Sequence, residues 1–237
     1  MKRIAAVAAA TLVLAGCPGD NDHDPVVIAP APAPSAPISA SYDITVTNLS
    51  YAQPMSPLAA YLHDGSLSGW QIGSPASVGL EELAEGGSPA AFLAEANSAM
   101  ASGSGDGILP PGMSQTVSLT VANDEPLYLT LATMLVNTND AFAGRAAIKL
   151  HLAIGEQLSG IAPSYDAGTE ANSELAATIP GPAGGGAGFD SSRDDIADYV
   201  TRHGGIVGIE DGASDSALTQ AHRFDNPVLH WSVTRSQ

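Results

Sequence analysis

The chain has 237 residues, of which 25 are Asp or Glu and 8 are Lys or Arg, for a formal charge of −17. That balance excludes nucleic acid and anionic lipid headgroups as partners, because both are held by clustered Lys and Arg. A single cysteine, Cys17, excludes any disulfide framework within the chain.

Residues 1–17 place Lys2 and Arg3 ahead of an apolar run over 4–14, which ends in Leu14-Ala-Gly-Cys17. A charged start, a short hydrophobic region and small residues before a cut describe a secretory signal peptide. The run is too short to remain in a bilayer as a spanning helix. Leu-Ala-Gly-Cys resembles a bacterial lipobox, in which the cysteine thiol takes a diacylglycerol and becomes the first mature residue. That use of Cys17 accounts for both its isolation and its position, and predicts a lipid-tethered protein of the bacterial cell envelope. Pro18 after the cysteine, where an aspartate would retain the protein at the inner membrane, fits outer-membrane sorting in a Gram-negative host. Residues 18–40 are rich in Pro, Ala, Asp and Ser, with Pro-Ala-Pro-Ala-Pro at 30–34. Such a segment buries too little apolar surface to offset its lost entropy, and reads as an extended spacer.

Residues 41–237 read as one domain, long enough for a single core. Alternation of apolar and polar residues predicts strands over 42–47 and 115–121. A strand over 55–63 is interrupted by Pro57, and 127–136 is apolar on both faces, as a central strand buried from two sides would be. Further strands are predicted over 149–154 and 228–234. Short helices are predicted over 80–84, over 89–101 behind a Ser88 cap, and over 193–203 between Ser192 and Gly204, where they would cover the ends of the molecule. The pattern as a whole is all-β, an antiparallel β-sandwich with a few short helices. The Gly-rich stretch 180–188 has no charge and no Gly-Lys-Ser/Thr after it, so it reads as a mobile surface loop and not a phosphate cradle. Gly103-Ser-Gly-Asp-Gly107 reads as a turn.

Catalysis has no specific support in the residues. There is no Gly-x-Ser-x-Gly elbow, and His63, His151, His203, His222 and His230 occur singly, with no zinc spacing. His151 and His230 fall within strand patterns and read as structural. Glu81, Glu82 and Glu85 read as the solvated face of a helix. The expectation is a protein that is not an enzyme.

Two short segments carry the chemistry. Residues 137–144 (Asn-Thr-Asn-Asp-Ala-Phe-Ala-Gly) offer Asn137, Asn139 and Asp140 where a strand gives way to a loop. Residues 165–172 (Tyr-Asp-Ala-Gly-Thr-Glu-Ala-Asn) offer Asp166 and Glu170 around Gly168, which lets the backbone turn back so that both acids face one point. Hard oxygen ligands without thiolate or imidazole predict calcium or magnesium, and calcium accepts the irregular mixture that loops supply. The spacing is not that of an EF-hand, and Asp and Asn are also ordinary turn residues.

The stretches 76–86 (Ala-Ser-Val-Gly-Leu-Glu-Glu-Leu-Ala-Glu-Gly), 133–144 and 165–170, with the ending 222–235, occur in the order seen in spondin N-terminal domains, which this chain resembles over residues 41–235. In animal spondins and mindin that domain is a calcium-binding β-sandwich of extracellular matrix and adhesion proteins. By this resemblance Asp140 matches the aspartate of the family's Ser-Pro-Asp-Trp-Phe segment, and Asp166 and Glu170 match the two acids of Asp-Ala-Gly-Thr-Asp. Here Asn139 replaces the proline, Ala141 the tryptophan, and Glu170 an aspartate. The resemblance implies one calcium ion on Asp140, Asp166 and Glu170, and an adhesive or ligand-binding role toward a protein or glycan. The alternatives are a structural envelope lipoprotein without metal dependence, and a carbohydrate-active enzyme on a sandwich scaffold.

Overall fold

A computed structural model describes residues 39–122, 127–192, 197 and 199–237. The signal peptide, Cys17 and nearly all of the 18–40 spacer lie outside the described residues, as do positions 193–196 and 198 of the expected third helix.

Among the described residues, ten strands form two antiparallel sheets. The first contains β1 (Ala40–Asn48), β4 (Ser114–Val121), β7 (Gln157–Ala162) and β10 (Leu229–Arg235), in the order β4-β1-β10-β7. The second contains β2 (Ala59–His63), β3 (Ala101–Ser104), β5 (Leu127–Met134), β6 (Ala141–Leu150), β8 (Ser164–Asp166) and β9 (Thr201–Arg202), in the order β3-β2-β5-β6-β8-β9. The all-β sandwich expected from the alternation is the architecture found.

The alternation has a direct physical outcome. Tyr42, Ile44 and Val46 of β1 point inward with Val117 and Leu119 of β4 and Trp231 and Val233 of β10. They meet Leu62, Leu129 and Leu131 of the second sheet in one continuous core. The opposite face of the first sheet is built of hydroxyls that bond across strands: Ser41 with Thr120, Thr45 with Thr116 at 2.8 Å, and Thr47 with Ser114 at 2.8 Å.

Strand β5 is buried on both faces because a second apolar layer lies behind it. Helix α1 (Val78–Gly86) and helix α2 (Ala90–Glu95) pack Leu80, Leu83, Ala84 and Phe92 against Ala59, Tyr61, Ala132 and Phe142. The helices therefore cover a face of the second sheet and not the sandwich ends. Ser77 caps α1 by accepting the Leu80 amide at 3.2 Å, and Gly87 closes it in the left-handed region.

Several boundaries differ from the sequence pattern. The helix expected over 89–101 stops at Glu95, Ser88 does not cap it, and the chain turns back so that Ala101–Ser104 becomes edge strand β3. Small Ala, Ser and Gly residues carry little strand preference of their own, and pairing with β2 decides their state. The strand expected over 149–154 ends at Leu150 and continues backward to Ala141, and His151 lies in the connection after it. At the far end of the third expected helix, Thr201–Arg202 pairs as a strand with β8. The 180–188 segment is packed, not free: Gly181 lies against the Val136 carbonyl, too close for any Cβ, and the Ala183 amide donates to Asn137 Oδ1 at 3.0 Å. Among the described residues no helix is long and apolar enough to cross a membrane.

Candidate functional site

The pairing of β6 with β8 joins the two acidic segments. Phe142 lies opposite Tyr165 and Ala141 opposite Asp166. The two rings stack with centroids 5.1 Å apart, and Trp70 stands edge-on to both. This aromatic cluster fixes the register, and the register sets Asp140 beside the motif that follows β8. The Ala167 amide donates to the Asp140 carbonyl at 3.3 Å.

The loop over 166–170 is shaped by its own residues. Asp166 Oδ1 accepts the Gly168 amide at 2.8 Å, closing a turn on the aspartate side chain. Gly168 has φ +76°, and a Cβ there would lie 2.5 Å from the Tyr199 carbonyl oxygen, so both the conformation and the space call for glycine. The turn brings the Thr169 and Glu170 amides onto Asp140 Oδ2, at 2.9 and 3.1 Å.

Asp140 is fully buried, and its second oxygen, Oδ1, has no hydrogen-bond partner. The Thr169 hydroxyl, also buried, has none either. Burial pushes the Asp140 carboxyl up to about 7, and the neighbouring Asp166 charge adds to the rise. The amides of Glu170 and Thr169 oppose it, and the Glu170 charge raises it again. A buried carboxylate between two others, with one oxygen unsatisfied, is a place that favours a proton or a cation. Asp166 Oδ2 accepts from Asn172 Nδ2 at 2.6 Å. Among the described residues, no group of three or more carboxylate, imidazole or thiolate side chains is placed to hold a metal ion. Any ion here would therefore be held through a mixture that includes hydroxyl, carbonyl or water oxygens.

Asp140 lies close enough to Asp166 and Glu170 to feel both charges, although the three side chains form no metal-holding group, and the asparagines beside it are spent elsewhere. Asn137 spends its side chain on the Ala52 carbonyl and the Ala183 amide. Asn139 donates to Thr178 Oγ1 at 2.8 Å and accepts the Glu174 amide at 3.0 Å. Both pin loops around the site. Two neighbours carried no signal in the sequence. Thr169 contributes its free hydroxyl, and His203, buried after β9, is close enough to Asp166 to feel its charge. Burial lowers the His203 pKa and Asp166 opposes the fall. Its Nδ1 accepts the Gly205 amide at 3.0 Å, so the proton of the neutral ring sits on Nε2, a buried atom with no partner.

Four residues before Asp140, Val136 lines an apolar cleft of about 360 Å³ with Pro54, Ile108, Met134 and Pro180. Cleft and acids lie at the end of the sandwich where β1 finishes at Asn48. The chain enters β1 at Ala40, eight residues earlier, roughly 27 Å away along an extended strand. The chain matches no known family model and no curated protein.

Proposed function

We propose that this is a lipid-anchored envelope protein whose spondin-like sandwich binds one calcium ion through Asp140, Asp166 and Glu170, and that it serves an adhesive or ligand-binding role at the cell surface. The observation that supports the reading is the buried, unsatisfied Oδ1 of Asp140 in a place where the charges of Asp166 and Glu170 are felt. Calcium would offset the buried charge of Asp140 and would hold together the loops after β5 and β8. Asp140 and Glu170 would bring buried oxygens and Asp166 a half-buried one, with the Thr169 hydroxyl in reach of the same loop. Segment order relative to spondin N-terminal domains supports the same assignment.

Titration calorimetry with calcium on the purified protein tests it. Binding is expected at about millimolar or tighter, the range of extracellular calcium modules. Calcium at about 100 times its dissociation constant should add about 2.7 kcal/mol of stability. For a domain of this size that raises the melting temperature on the order of 2–4 °C per kcal/mol. Asp166→Asn should abolish the heat of binding. Asp140→Asn should raise the melting temperature in chelator, by removing the buried charge, and remove the calcium effect. Calcium-insensitive melting, or unchanged binding in Asp166→Asn, would leave Asp140 as a clasp for two loop amides and the protein as a structural envelope component.

A further inference from the structure

We propose that the hollow between β2, α2 and the loop over 66–69 is a binding site for one pyranose ring of a neutral carbohydrate, held through two adjacent sugar hydroxyls.

The hollow has a volume of about 230 Å³, and its lining includes Tyr61, Ser66, Ser68, Ser77, Phe92 and Glu95. It is smaller than the ~300 Å³ at which pockets for drug-sized ligands begin, which suits a single ring. Hydroxyls and one carboxylate supply its polar side chains, with no Lys, Arg or His among them.

A chain of hydrogen bonds sets the direction in which the buried hydroxyl of this hollow acts. His63 Nδ1 accepts the Gly65 amide at 3.1 Å, so the neutral ring carries its proton on Nε2 and donates it to Thr130 Oγ1 at 3.2 Å. Thr130 Oγ1 also accepts the Ala147 amide at 3.1 Å. With both lone pairs taken, Thr130 gives its own proton to the Tyr61 oxygen, its hydrogen-bond partner. Tyr61 is only 2 % exposed, and its own O–H proton is left for a partner inside the hollow. Burial raises the Tyr61 pKa, the Thr130 bond opposes the rise and the Glu95 charge adds to it, so the proton stays on at neutral pH. Gly69, with φ +67°, keeps this hydroxyl uncovered, since a Cβ there would lie 3.2 Å from it and 2.9 Å from Thr130 Cγ2.

Glu95 supplies the opposite function. Its Oε1 accepts the Gly79 amide at 2.7 Å and its Oε2 accepts from the Ser77 hydroxyl, which hold the carboxylate in place and leave each oxygen a second lone pair. A fixed donor facing a fixed acceptor matches two adjacent hydroxyls, one accepting from Tyr61 and the other donating to Glu95. An ammonium group has no lone pair for Tyr61, and an anion has no proton for Glu95. The serine hydroxyls turn to suit either role. A sugar here would be the ligand of the ligand-binding role proposed above, on which this assignment rests, and would be held by none of the residues around Asp140.

Saturation-transfer NMR on the purified chain with the methyl α-pyranosides of glucose, galactose and mannose tests the site, each run with calcium and with chelator. At least one is expected to bind in both conditions, with a Kd at about the millimolar level. Tyr61→Phe removes one hydroxyl and should weaken that sugar about tenfold, the loss of one hydrogen bond. Glu95→Gln, an exposed change, should weaken it similarly and decides the matter if Tyr61→Phe does not fold. Sugar binding by a chain whose melting ignores calcium would support the sugar site while removing the calcium site, and calcium binding without sugar binding would do the reverse. Displacement of the sugar by methylammonium chloride, no transfer to any of the three pyranosides at tens of millimolar, or undiminished binding in both variants would overturn the assignment.

Discussion

Asp140 shows how a single side chain can be both a structural and a chemical feature. One oxygen holds the Thr169 and Glu170 amides, and the other is left over in a buried place beside two further acids. A carboxylate kept only as a clasp would be as well served by asparagine, which accepts the same two hydrogen bonds at no charge cost. His63 is a contrasting buried titratable group. Its Nδ1 accepts the Gly65 amide at 3.1 Å, its Nε2 meets Thr130 Oγ1 at 3.2 Å, and it lies between the Tyr61 and Tyr128 rings. Burial pushes its pKa below the usual value of 6.5, and Asp64 opposes the fall. The folded protein therefore resists a proton that the unfolded chain accepts, so this contribution to stability is present above about pH 6.5 and is lost as the pH falls. Asp140, raised to about 7, acts in the opposite direction, losing stability as pH rises. Thermal melts in chelator from pH 7.5 to about 5 should show the wild type losing more stability on acidification than His63→Gln does, and parallel curves would refute it.

At the scale of elements, the decisive contact is β6 against β8. Three rungs join them, and the Phe142–Tyr165 stack spans the middle one. Phe142 is completely buried beneath Trp70 and the α1 side chains. Phe142→Ala should cost about 3–5 kcal/mol by chemical denaturation. If the site depends on this register, the variant should also weaken calcium binding in calorimetry at temperatures where it remains folded, although Phe142 carries no ligand atom. A loss below about 1 kcal/mol would show that the stack does not set the pairing. The first-sheet strands β1, β4 and β10 were legible from alternation because one face meets the core and the other meets water. The second sheet was harder to read. Ala141–Leu150 is rich in alanine and glycine, is buried on both faces in its first half, and kinks where Ala147 adopts φ +52° and donates to Thr130 Oγ1. Without a polar face there is no period to detect.

At the scale of the molecule, the proposed reading puts the sandwich on a lipid anchor in the cell envelope. Lipid attachment at Cys17 belongs to the proposal and is tested on the whole protein. The wild type should sediment with membranes and partition into detergent, whereas Cys17→Ser should appear in the soluble fraction. A soluble wild type would remove the anchor without touching the sandwich.

Local chemistry alone determined the sandwich class, strands β1, β4 and β10 of the first sheet, and the turn at Gly168, because each rests on neighbouring residues or on a period of two. It also misjudged the glycine-rich 180–188 segment, whose order comes from a distant partner, the Val136–Asn137 backbone. Only the tertiary structure decided that α1 and α2 lie on a sheet face, that Asn137 and Asn139 brace loops, and that Asp140 meets Asp166 and Glu170 across about 30 residues of sequence. Those outcomes depend on which strands pair and on what covers them, and such contacts leave no periodic trace in the chain.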